Sequence, residues 1–517
     1  MTFEIVFVLL SLLGMMAALI ADKMRPGMVL FSVVVLFLCI GILTPKEMLE
    51  GFSNKGMITV ALLFLVSEGI RQSGTLGQVI KKLLPQGKTT VFKAQLRILP
   101  SVAFISAFLN NTPVVVIFAP IIKHWAKSVK LPATKFLIPL SYVTILGGIC
   151  TLIGTSTNLV VHGMILEAGY EGFTMFELGK VGIFIAIAGI IYLFIFSKRL
   201  LPDARPDTAV PDEEVEEGEK LHRVEAVLGA RFPGINKKLS DFNFQRHYGA
   251  EVKEIKTRNG QRYVNHLEDV VLREGDTLVV MADDTFIPTW GESSVFVLLT
   301  NGNDPDTSGK KKRWLALILL VLMIVGATVG ELPATKEMFP DIKLDMFFFV
   351  CITTIIMAWT NIFPARKYTK YISWDILITI ACAFAISKAM VNSGVADCVA
   401  GFIIGLSDDY GPHVLLAILF VITNLFTELI TNNAAAALAF PLALSISAQL
   451  GVSPTPFFVV ICMAASASFS TPIGYQTNLI VQGIGNYKFT DFVRIGLPLN
   501  IITFLISVIL IPLIWNF

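Results

Sequence analysis

Long apolar runs recur along this chain, and most have the length of a membrane-crossing helix. They form two groups of five, at about 3–21, 27–44, 57–75, 134–166 and 179–197, then at about 313–333, 344–363, 372–391, 457–486 and 495–516. A helix needs about 20 predominantly apolar residues to span a bilayer. The pattern therefore predicts an all-α polytopic membrane protein with five spans in each half.

A different pattern lies between the third and fourth run of each half, where an apolar stretch is interrupted near its middle. The stretch at about 92–129 is interrupted at Asn110–Asn111, and the stretch at about 414–447 at Thr431–Asn433. The arms are too short to cross alone, and non-helical backbone at membrane depth is tolerated only inside protein or beside a wet cavity. We therefore predict two re-entrant hairpins with polar tips.

The two halves also resemble each other in sequence. At an offset of about 320 residues, Gly154, Thr157 and Asn158 align with Gly474, Thr477 and Asn478, and at one residue more Asn111 aligns with Asn432. An internal repeat with interrupted segments at corresponding positions is a sequence indicator of a transporter's binding site. Residues 1–200 and 312–517 are thus predicted to be two transmembrane repeats.

The charges of the loops predict how the repeats are oriented. Five crossings in each half invert the second repeat, and Lys and Arg collect on one side of this topology, whereas the 405–413 loop on the other side has neither. Basic loops remain in the cytoplasm. We expect a multi-pass protein of the plasma (inner) membrane with both termini extracytoplasmic, the first hairpin entering from the cytoplasm and the second from outside.

Residues 201–311 break the hydrophobic pattern. Between Asp203 and Glu219 there are eight acidic residues and the single Arg205, and short β-like runs follow between the turn signals RNG and REGD. This composition predicts a solvated tether followed by a small α+β domain on the cytoplasmic side.

Composition agrees with a protein that mostly faces lipid. Hydrophobic residues make up 54% and charged residues 15%, whereas soluble domains carry about 25% charge. The six cysteines lie in apolar segments without CxxC spacing and are interpreted as packing residues. The first apolar run lacks the basic region of a signal peptide and is expected to be a retained span. The net charge of +2 is uninformative, and no nucleic-acid partner is expected.

The polar residues at the interruptions suit two kinds of ligand. Sodium, a hard cation, prefers hydroxyl, amide and carbonyl oxygens, and unwound helix ends supply free carbonyls. A small anion can be held at the N-terminal ends of the half-helices that begin there. Helix association alone would also use Asn, Ser, Thr and Gly, but two clusters at equivalent repeat positions favour a site.

Four motifs carry a resemblance to the divalent anion:sodium symporter family. SAFLNNTPVV and TELITNNAAAA resemble its hairpins, and GGICTLIGTSTNL and FSTPIGYQTNL resemble its unwound helices. The stretch from LHRVEAVLG to REGDTLVVM resembles the C-terminal domain of RCK regulatory proteins, the TrkA-C type.

The resemblance implies specific site residues. The first sodium site would use Ser106, Asn110, Asn111 and Gly154, and the second Thr427, Thr431, Asn432 and Gly474. The anion would meet Asn111, Thr112, Thr157 and Asn158 from one repeat and Asn432, Asn433, Thr477 and Asn478 from the other. Asn110, Thr431 and Asn433 depart from the family motif, so the sequence leaves the anion open between sulfate and a C4-dicarboxylate.

These features predict a sodium-coupled symporter of a small divalent anion that works by alternating access, and they do not predict an enzyme. The resemblance also implies a homodimer and a nucleotide or cyclic-dinucleotide ligand on the inserted domain. Two alternatives remain open, a proton-driven or exchanging oxyanion permease and an RCK-gated channel. The channel is disfavoured because the sequence has no TVGYG-like filter. HExxH and GxSxG are likewise absent.

Overall fold

A computed structural model describes most of the chain. The described residues are 3–21, 24–85, 87–203, 222–229, 232–257, 261–283, 286, 290, 295–300, 310–339, 342–405 and 411–517. The predicted acidic tether lies almost entirely outside them, as does the RNG turn.

The N-terminal part is helical, and local signals mark several of its helix starts. Pro26 stands at the first position of its helix, and the Asn54 side chain caps the helix that begins at Lys55. Ten helices precede the sheet: α1 (Phe3–Ala21), α2 (Pro26–Ile40), α3 (Pro45–Glu50), α4 (Lys55–Gln72), α5 (Thr75–Leu83), α6 (Val91–Ser106), α7 (Asn111–Ser128), α8 (Leu137–Gly148), α9 (Ser156–Glu167) and α10 (Gly179–Leu200).

The C-terminal part is also a succession of long and short helices. These are α12 (Lys310–Gly330), α13 (Pro333–Met338), α14 (Met346–Trp359), α15 (Tyr368–Tyr371), α16 (Trp374–Asn392), α17 (Val395–Gly405), α18 (Gly411–Leu429), α19 (Asn432–Leu450), α20 (Thr455–Ser466), α21 (Gln476–Gly485) and α22 (Phe489–Ile514). Helix α11 (Phe244–Tyr248) belongs to the segment between the two parts.

Eight helices among the described residues are long and apolar enough to cross a membrane, by length and composition alone. This makes the chain a mostly helical, polytopic membrane protein. Several predicted spans correspond to shorter apolar helices, among them α2 and α14. The predicted runs 134–166 and 457–486 each contain two helices with a non-helical segment between them, at 149–155 and 467–475.

Both predicted hairpins correspond to a pair of helices joined at the polar residues. Helices α6 and α7 are joined around Asn110, and α18 and α19 around Thr431. The arms are longer than the sequence pattern indicates, and α18 and α19, with 19 residues each, are long enough to cross a membrane by length alone. Re-entry of these hairpins therefore remains a prediction.

Five antiparallel strands lie between the helical parts: β1 (His222–Leu228), β2 (Glu251–Lys256), β3 (Arg262–Tyr263), β4 (Thr277–Ala282) and β5 (Phe296–Thr300). Their order in the sheet is β3-β2-β4-β1-β5. Residues alternate between the two faces of β1: Val224, Ala226 and Leu228 pack in the sheet's own hydrophobic cluster, whereas Val227, on the other face, joins the cluster formed by the helices.

Candidate functional site

Four helices begin at one place inside the helical part. They are α7, α9, α19 and α21, and their N-cap residues are Asn110, Thr155, Thr431 and Tyr475. None of these four caps its helix with a side-chain hydrogen bond. The first N–H groups of a helix lack intrahelical partners, and its N-terminal end carries a partial positive charge. The centre where these ends meet is therefore suited to negative charge.

Side-chain hydrogen bonds show that the four ends are adjacent. Thr112 at the start of α7 donates to Gln476 Oε1 at the start of α21 over 3.3 Å. Ser156 and Thr157 at the start of α9 both donate to Asn433 Oδ1 on α19, each over 3.3 Å. Each pair joins one repeat to the other, so the two halves of the chain form the centre jointly.

The first oxygen cluster surrounds Asn111, whose side chain is completely buried. Ser106 Oγ donates to Asn111 Oδ1 over 2.8 Å, and Asn111 Nδ2 donates to the Tyr475 hydroxyl over 2.5 Å. Gly148 allows the close approach of the hairpin tip, because a Cβ there would lie 2.6 Å from Asn111 Oδ1. A Cβ on Gly154 would lie 2.5 Å from the Gly148 carbonyl oxygen. These five residues thus bring hydroxyl, amide and carbonyl oxygens together.

Asn110 lies at the edge of this cluster. It lines a cavity of about 10 Å³ together with Ser67 and Ser156. A cavity of that size holds about one water-sized sphere.

The second oxygen cluster surrounds Asn432 and has the same construction. Thr427 Oγ1 lies 3.0 Å from Asn432 Oδ1 and donates to the Ala465 carbonyl over 2.6 Å. A Cβ on Gly474 would lie 2.5 Å from the Thr427 carbonyl oxygen. The buried hydroxyl of Thr431 has no hydrogen-bond partner among the described residues. An unsatisfied buried oxygen is costly unless a ligand completes it, so the Thr431 hydroxyl is available to a ligand.

The same bonds recur in the two unwound segments. The Gly154 N–H donates to Thr151 Oγ1, and the Gly474 N–H donates to Thr471 Oγ1. Asn158 Nδ2 donates to the Thr151 carbonyl over 2.9 Å, and Asn478 Nδ2 to the Thr471 carbonyl over 3.1 Å. Thus Asn158 and Asn478 brace the unwound backbone through their amide nitrogens.

The side-chain oxygens of these two asparagines differ in their hydrogen bonding. Asn158 Oδ1 is buried without a hydrogen-bond partner among the described residues. Asn478 Oδ1 accepts from Ser141 Oγ over 2.7 Å, and the same hydroxyl lies 2.8 Å from Thr477 Oγ1. The structure therefore brings all the predicted site residues to one region. Two of them, Thr477 and Asn478, already hydrogen-bond through their side-chain oxygens to the Ser141 hydroxyl.

Sequence patterns missed several residues of this region. Tyr475 hydrogen-bonds to Asn111 and to Thr155, whose Oγ1 lies 2.9 Å from the phenol oxygen. Ser141 comes from α8, outside every motif. Ser466 at the end of α20 is buried, and its hydroxyl has no partner in the described structure. The repeat could have indicated Tyr475, since this residue occupies the position equivalent to Thr155, but nothing local distinguishes Ser141.

Glu428, next to the second tip, holds the unwound segment. Its Oε1 accepts from the Ser470 N–H over 2.8 Å and from Asn500 Nδ2 over 2.7 Å. Its Oε2 and Asn500 Oδ1 are buried without partners among the described residues.

The donor set fits sodium. The two clusters offer hydroxyl, amide and carbonyl oxygens, and the described residues contain no group of three or more His, Cys, Asp or Glu that could hold a metal ion. Uncharged oxygens are typical ligands of a hard monovalent cation. The residues that would hold sodium are Ser106, Asn110, Asn111 and Gly154 in the first cluster and Thr427, Thr431, Asn432 and Gly474 in the second.

A larger cavity of about 1020 Å³ lies at the far end of α9. Its walls include Asn54, His162, Glu331 and Lys388, and on the predicted topology it opens outside the cytoplasm. Leu159 lines both this cavity and the small one beside Asn110.

The sheet contacts the other end of the site helices. Glu225 on β1 accepts from Lys123 Nζ of α7 over 3.0 and 3.2 Å, and Lys256 Nζ lies 3.4 Å away. Burial alone would raise the pKa of Glu225, but Lys123 and Lys256 outweigh it and hold this pKa at about 2. Thr277 packs on Gly483 of α21, where a Cβ would lie 2.5 Å from Thr277 Oγ1. The sheet thus touches both α7 and α21.

A polytopic membrane protein whose broken helices surround a buried polar centre has the architecture of a transporter. Comparison with known proteins agrees: the chain belongs to the citrate transporter family (CitMHS), whose profile matches residues 16–446 and 338–517.

Individual relatives point to the same class. An uncharacterized transporter of Synechocystis sp. is 29% identical, covering 94% of this chain and 93% of the relative. The sodium/sulfate cotransporter 2 of Chlamydomonas reinhardtii is 30% identical over 54% of this chain and 31% of the relative. A sodium-dependent dicarboxylate transporter of Staphylococcus saprophyticus is 25% identical over 28% of each chain. The resemblance to anion:sodium symporters is confirmed at this broader level of ion-transporter relatives.

Proposed function

We propose that this protein is a secondary active transporter that couples sodium to the symport of a small divalent anion, sulfate or a C4-dicarboxylate. The observation that carries the proposal is the meeting of four uncapped helix ends beside two clusters of uncharged oxygens. The helix ends suit an anion and the oxygens suit sodium. Names of relatives that include sodium/sulfate and sodium-dependent dicarboxylate transport support the same pairing.

Coupling would follow from the two tip asparagines. Each amide has an oxygen that can contact sodium and a nitrogen that can face the anion. In both hairpins the oxygen is already bonded to a hydroxyl of the preceding arm, Ser106 or Thr427. Sodium bound in each cluster would fix the amide orientation and so prepare the anion site.

Alternating access is supported by an asymmetry between the two sides of the site. The cavity of about 1020 Å³ approaches the centre along α9. On the opposite side α7 packs on α21, and the sheet contacts both helices. Transport would require α7 and α21 to separate while the cavity beside α9 closes.

Uptake by purified protein in proteoliposomes tests this function. Sulfate, succinate, citrate and phosphate are each offered with an inward sodium or potassium gradient at constant pH. We expect uptake of at least one divalent anion that requires sodium. Thermal shifts of the detergent-solubilised protein should show the same selectivity, because a ligand stabilises the native state that binds it. Anion uptake that is equal with the sodium gradient and with the potassium gradient would refute the coupling.

A proton-driven or exchanging oxyanion permease is the alternative. The observation in its favour is Glu428, a largely buried carboxylate beside the second tip with one oxygen unpartnered in the described structure. Uptake driven by a pH gradient without sodium, and abolished in Glu428→Gln, would support it. Electrogenic flux without any solute coupling would instead indicate a channel.

The inserted segment, residues 201–311, is proposed to be a cytoplasmic RCK-like domain that regulates transport. It lies outside the repeated helices, yet its sheet contacts α7 and α21. A cavity of about 480 Å³ on this segment, lined by residues that include Tyr263, His266 and Arg273, could take a nucleotide or cyclic dinucleotide. We also propose a homodimer in the plasma (inner) membrane with both termini outside the cytoplasm. Crosslinking in membranes and accessibility labelling of terminal cysteines test these two points.

A further inference from the structure

Tyr475 occupies a position where the two repeats differ. The equivalent residue of the first repeat, at an offset of 320, is Thr155. Both are N-cap residues of half-helices that begin at the site, but the tyrosine side chain is much longer. It is buried, with 8% of its surface exposed. The larger side chain therefore projects into the protein at the site.

The tyrosine hydroxyl lies where the helix ends meet. It accepts from Asn111 Nδ2 over 2.5 Å and lies 2.9 Å from Thr155 Oγ1. One phenol oxygen thus contacts the starts of α7 and α9, while the backbone of the same tyrosine begins α21.

This position limits the space between the two tips. A dicarboxylate has two separate anionic groups, so it needs two anchoring positions with room for the carbon chain between them. In this protein the amide of the first tip bonds to the phenol oxygen, and the buried tyrosine ring, at the N-cap of α21, occupies space beside that tip. An anion whose oxygens all surround one central atom needs a single anchoring position.

We propose that Tyr475 is a specificity-determining residue that admits an anion with one compact oxyanion group, of which sulfate is the example, and rejects dicarboxylates. The inference rests on the proposed function and narrows its substrate class. Asn111 donates to the phenol oxygen, and Thr155 can also donate to it, which leaves the phenol proton available to turn toward the anion. The hydroxyl would bind the compact anion, and the ring would exclude the longer one.

Two substitutions separate these contributions. Tyr475→Thr copies the first repeat, removing the ring and keeping a hydroxyl, whereas Tyr475→Phe keeps the ring and removes the hydroxyl. Tyr192→Phe is the matched control, because Tyr192 is buried and its hydroxyl donates to the Ile495 carbonyl over 3.0 Å, away from the helix ends. Sodium-dependent sulfate uptake in proteoliposomes is measured with increasing succinate, and the apparent affinities for both anions are compared.

We expect wild type and Tyr192→Phe to take up sulfate, with succinate a poor competitor. Tyr475→Thr should shift the succinate-to-sulfate affinity ratio toward succinate by at least about tenfold, since changes of pocket size typically change discrimination by about 10 to 200-fold. Tyr475→Phe should weaken sulfate binding by about 5 to 150-fold while succinate stays excluded.

Three results would overturn the inference. If the wild-type protein accepts succinate as well as sulfate, the premise that it excludes dicarboxylates is wrong, whereas the proposal of sodium-coupled anion transport still stands. A folded Tyr475→Thr with the wild-type ratio shows that the ring sets no size limit, and a Tyr475→Phe with wild-type sulfate affinity shows that the hydroxyl does not bind the anion. Wild type with no sodium-dependent anion uptake would refute the proposed function itself.

Discussion

Replacing Asn111 or Asn432 by alanine tests the coupling of sodium and anion directly. Asn111→Ala removes the acceptor of the Ser106 hydroxyl and the donor to Tyr475. Asn432→Ala removes the acceptor of the Thr427 hydroxyl, although Thr427 keeps its bond to the Ala465 carbonyl. Loss of a buried polar contact costs about 1–3 kcal/mol, which corresponds to a factor of about 5 to 150 in affinity. Asn111→Ala should lie nearer the upper end, because it breaks two bonds at a completely buried position.

Each variant should weaken sodium and anion binding together, as measured by ligand-dependent thermal shifts and by uptake. Gln95→Ala is the control, since Gln95 is a buried amide that donates to the Lys135 carbonyl and to Ser197 Oγ on the helix scaffold. It should lower thermal stability and leave both affinities unchanged. Asn432→Asp distinguishes the effect on sodium binding from the effect on anion binding, because it retains an oxygen for sodium and places a negative charge against the anion. Sodium-dependent stabilisation should survive and anion binding should be lost.

Normal transport by Asn432→Ala and Asn432→Asp would refute the assignment of this tip to the site. A loss of anion affinity with sodium affinity unchanged would contradict the dual role of the amide and leave Asn432 as a substrate ligand only.

Three further predictions concern the second oxygen cluster and the inserted domain. Gly474→Ala would place a Cβ 2.5 Å from the Thr427 carbonyl oxygen, so sodium-dependent stabilisation should disappear, whereas Gly14→Ala, with nothing within 4 Å, should behave as wild type. Replacing residues 205–308 by a short flexible linker should leave sodium-driven uptake measurable; abolished uptake in a folded dimer would make the domain part of the transport machinery. The Glu225 ion pair should hold the sheet on α7 above about pH 4.5, the ordinary pKa of the carboxyl, and release it as the pH falls toward about 2. Hydrogen exchange of β1 would follow that release, and Glu225→Gln should show faster exchange at neutral pH with no such transition.

Much of the helical architecture could be predicted from the sequence, because membrane helices are specified locally. Apolar length positions the long helices, and the polar interruptions at Asn110 and Thr431 coincide with the starts of α7 and α19. Residues that the repeat offset aligns also make equivalent bonds: Ser106 bonds to Asn111 in the first half, and Thr427 bonds to Asn432 in the second. The sequence was less informative about the length of the hairpin helices. The two helices of the second hairpin have 19 residues each, because apolar and small residues continue each helix beyond the predicted apolar stretch.

Only the tertiary structure decided which polar atoms meet across the chain. Tyr475 and Asn111 are 364 positions apart, Ser141 and Asn478 are 337 apart, and Lys123 and Glu225 are 102 apart. No local periodicity encodes such pairs, because they depend on how helices from the two repeats and the sheet pack together. The sequence by itself determined a membrane protein with broken helices and polar residues at the breaks, the residue types from which we predict an anion and sodium site. Packing determined that a tyrosine from one repeat bonds to the hairpin asparagine of the other, because its side chain is long enough to reach the starts of α7 and α9.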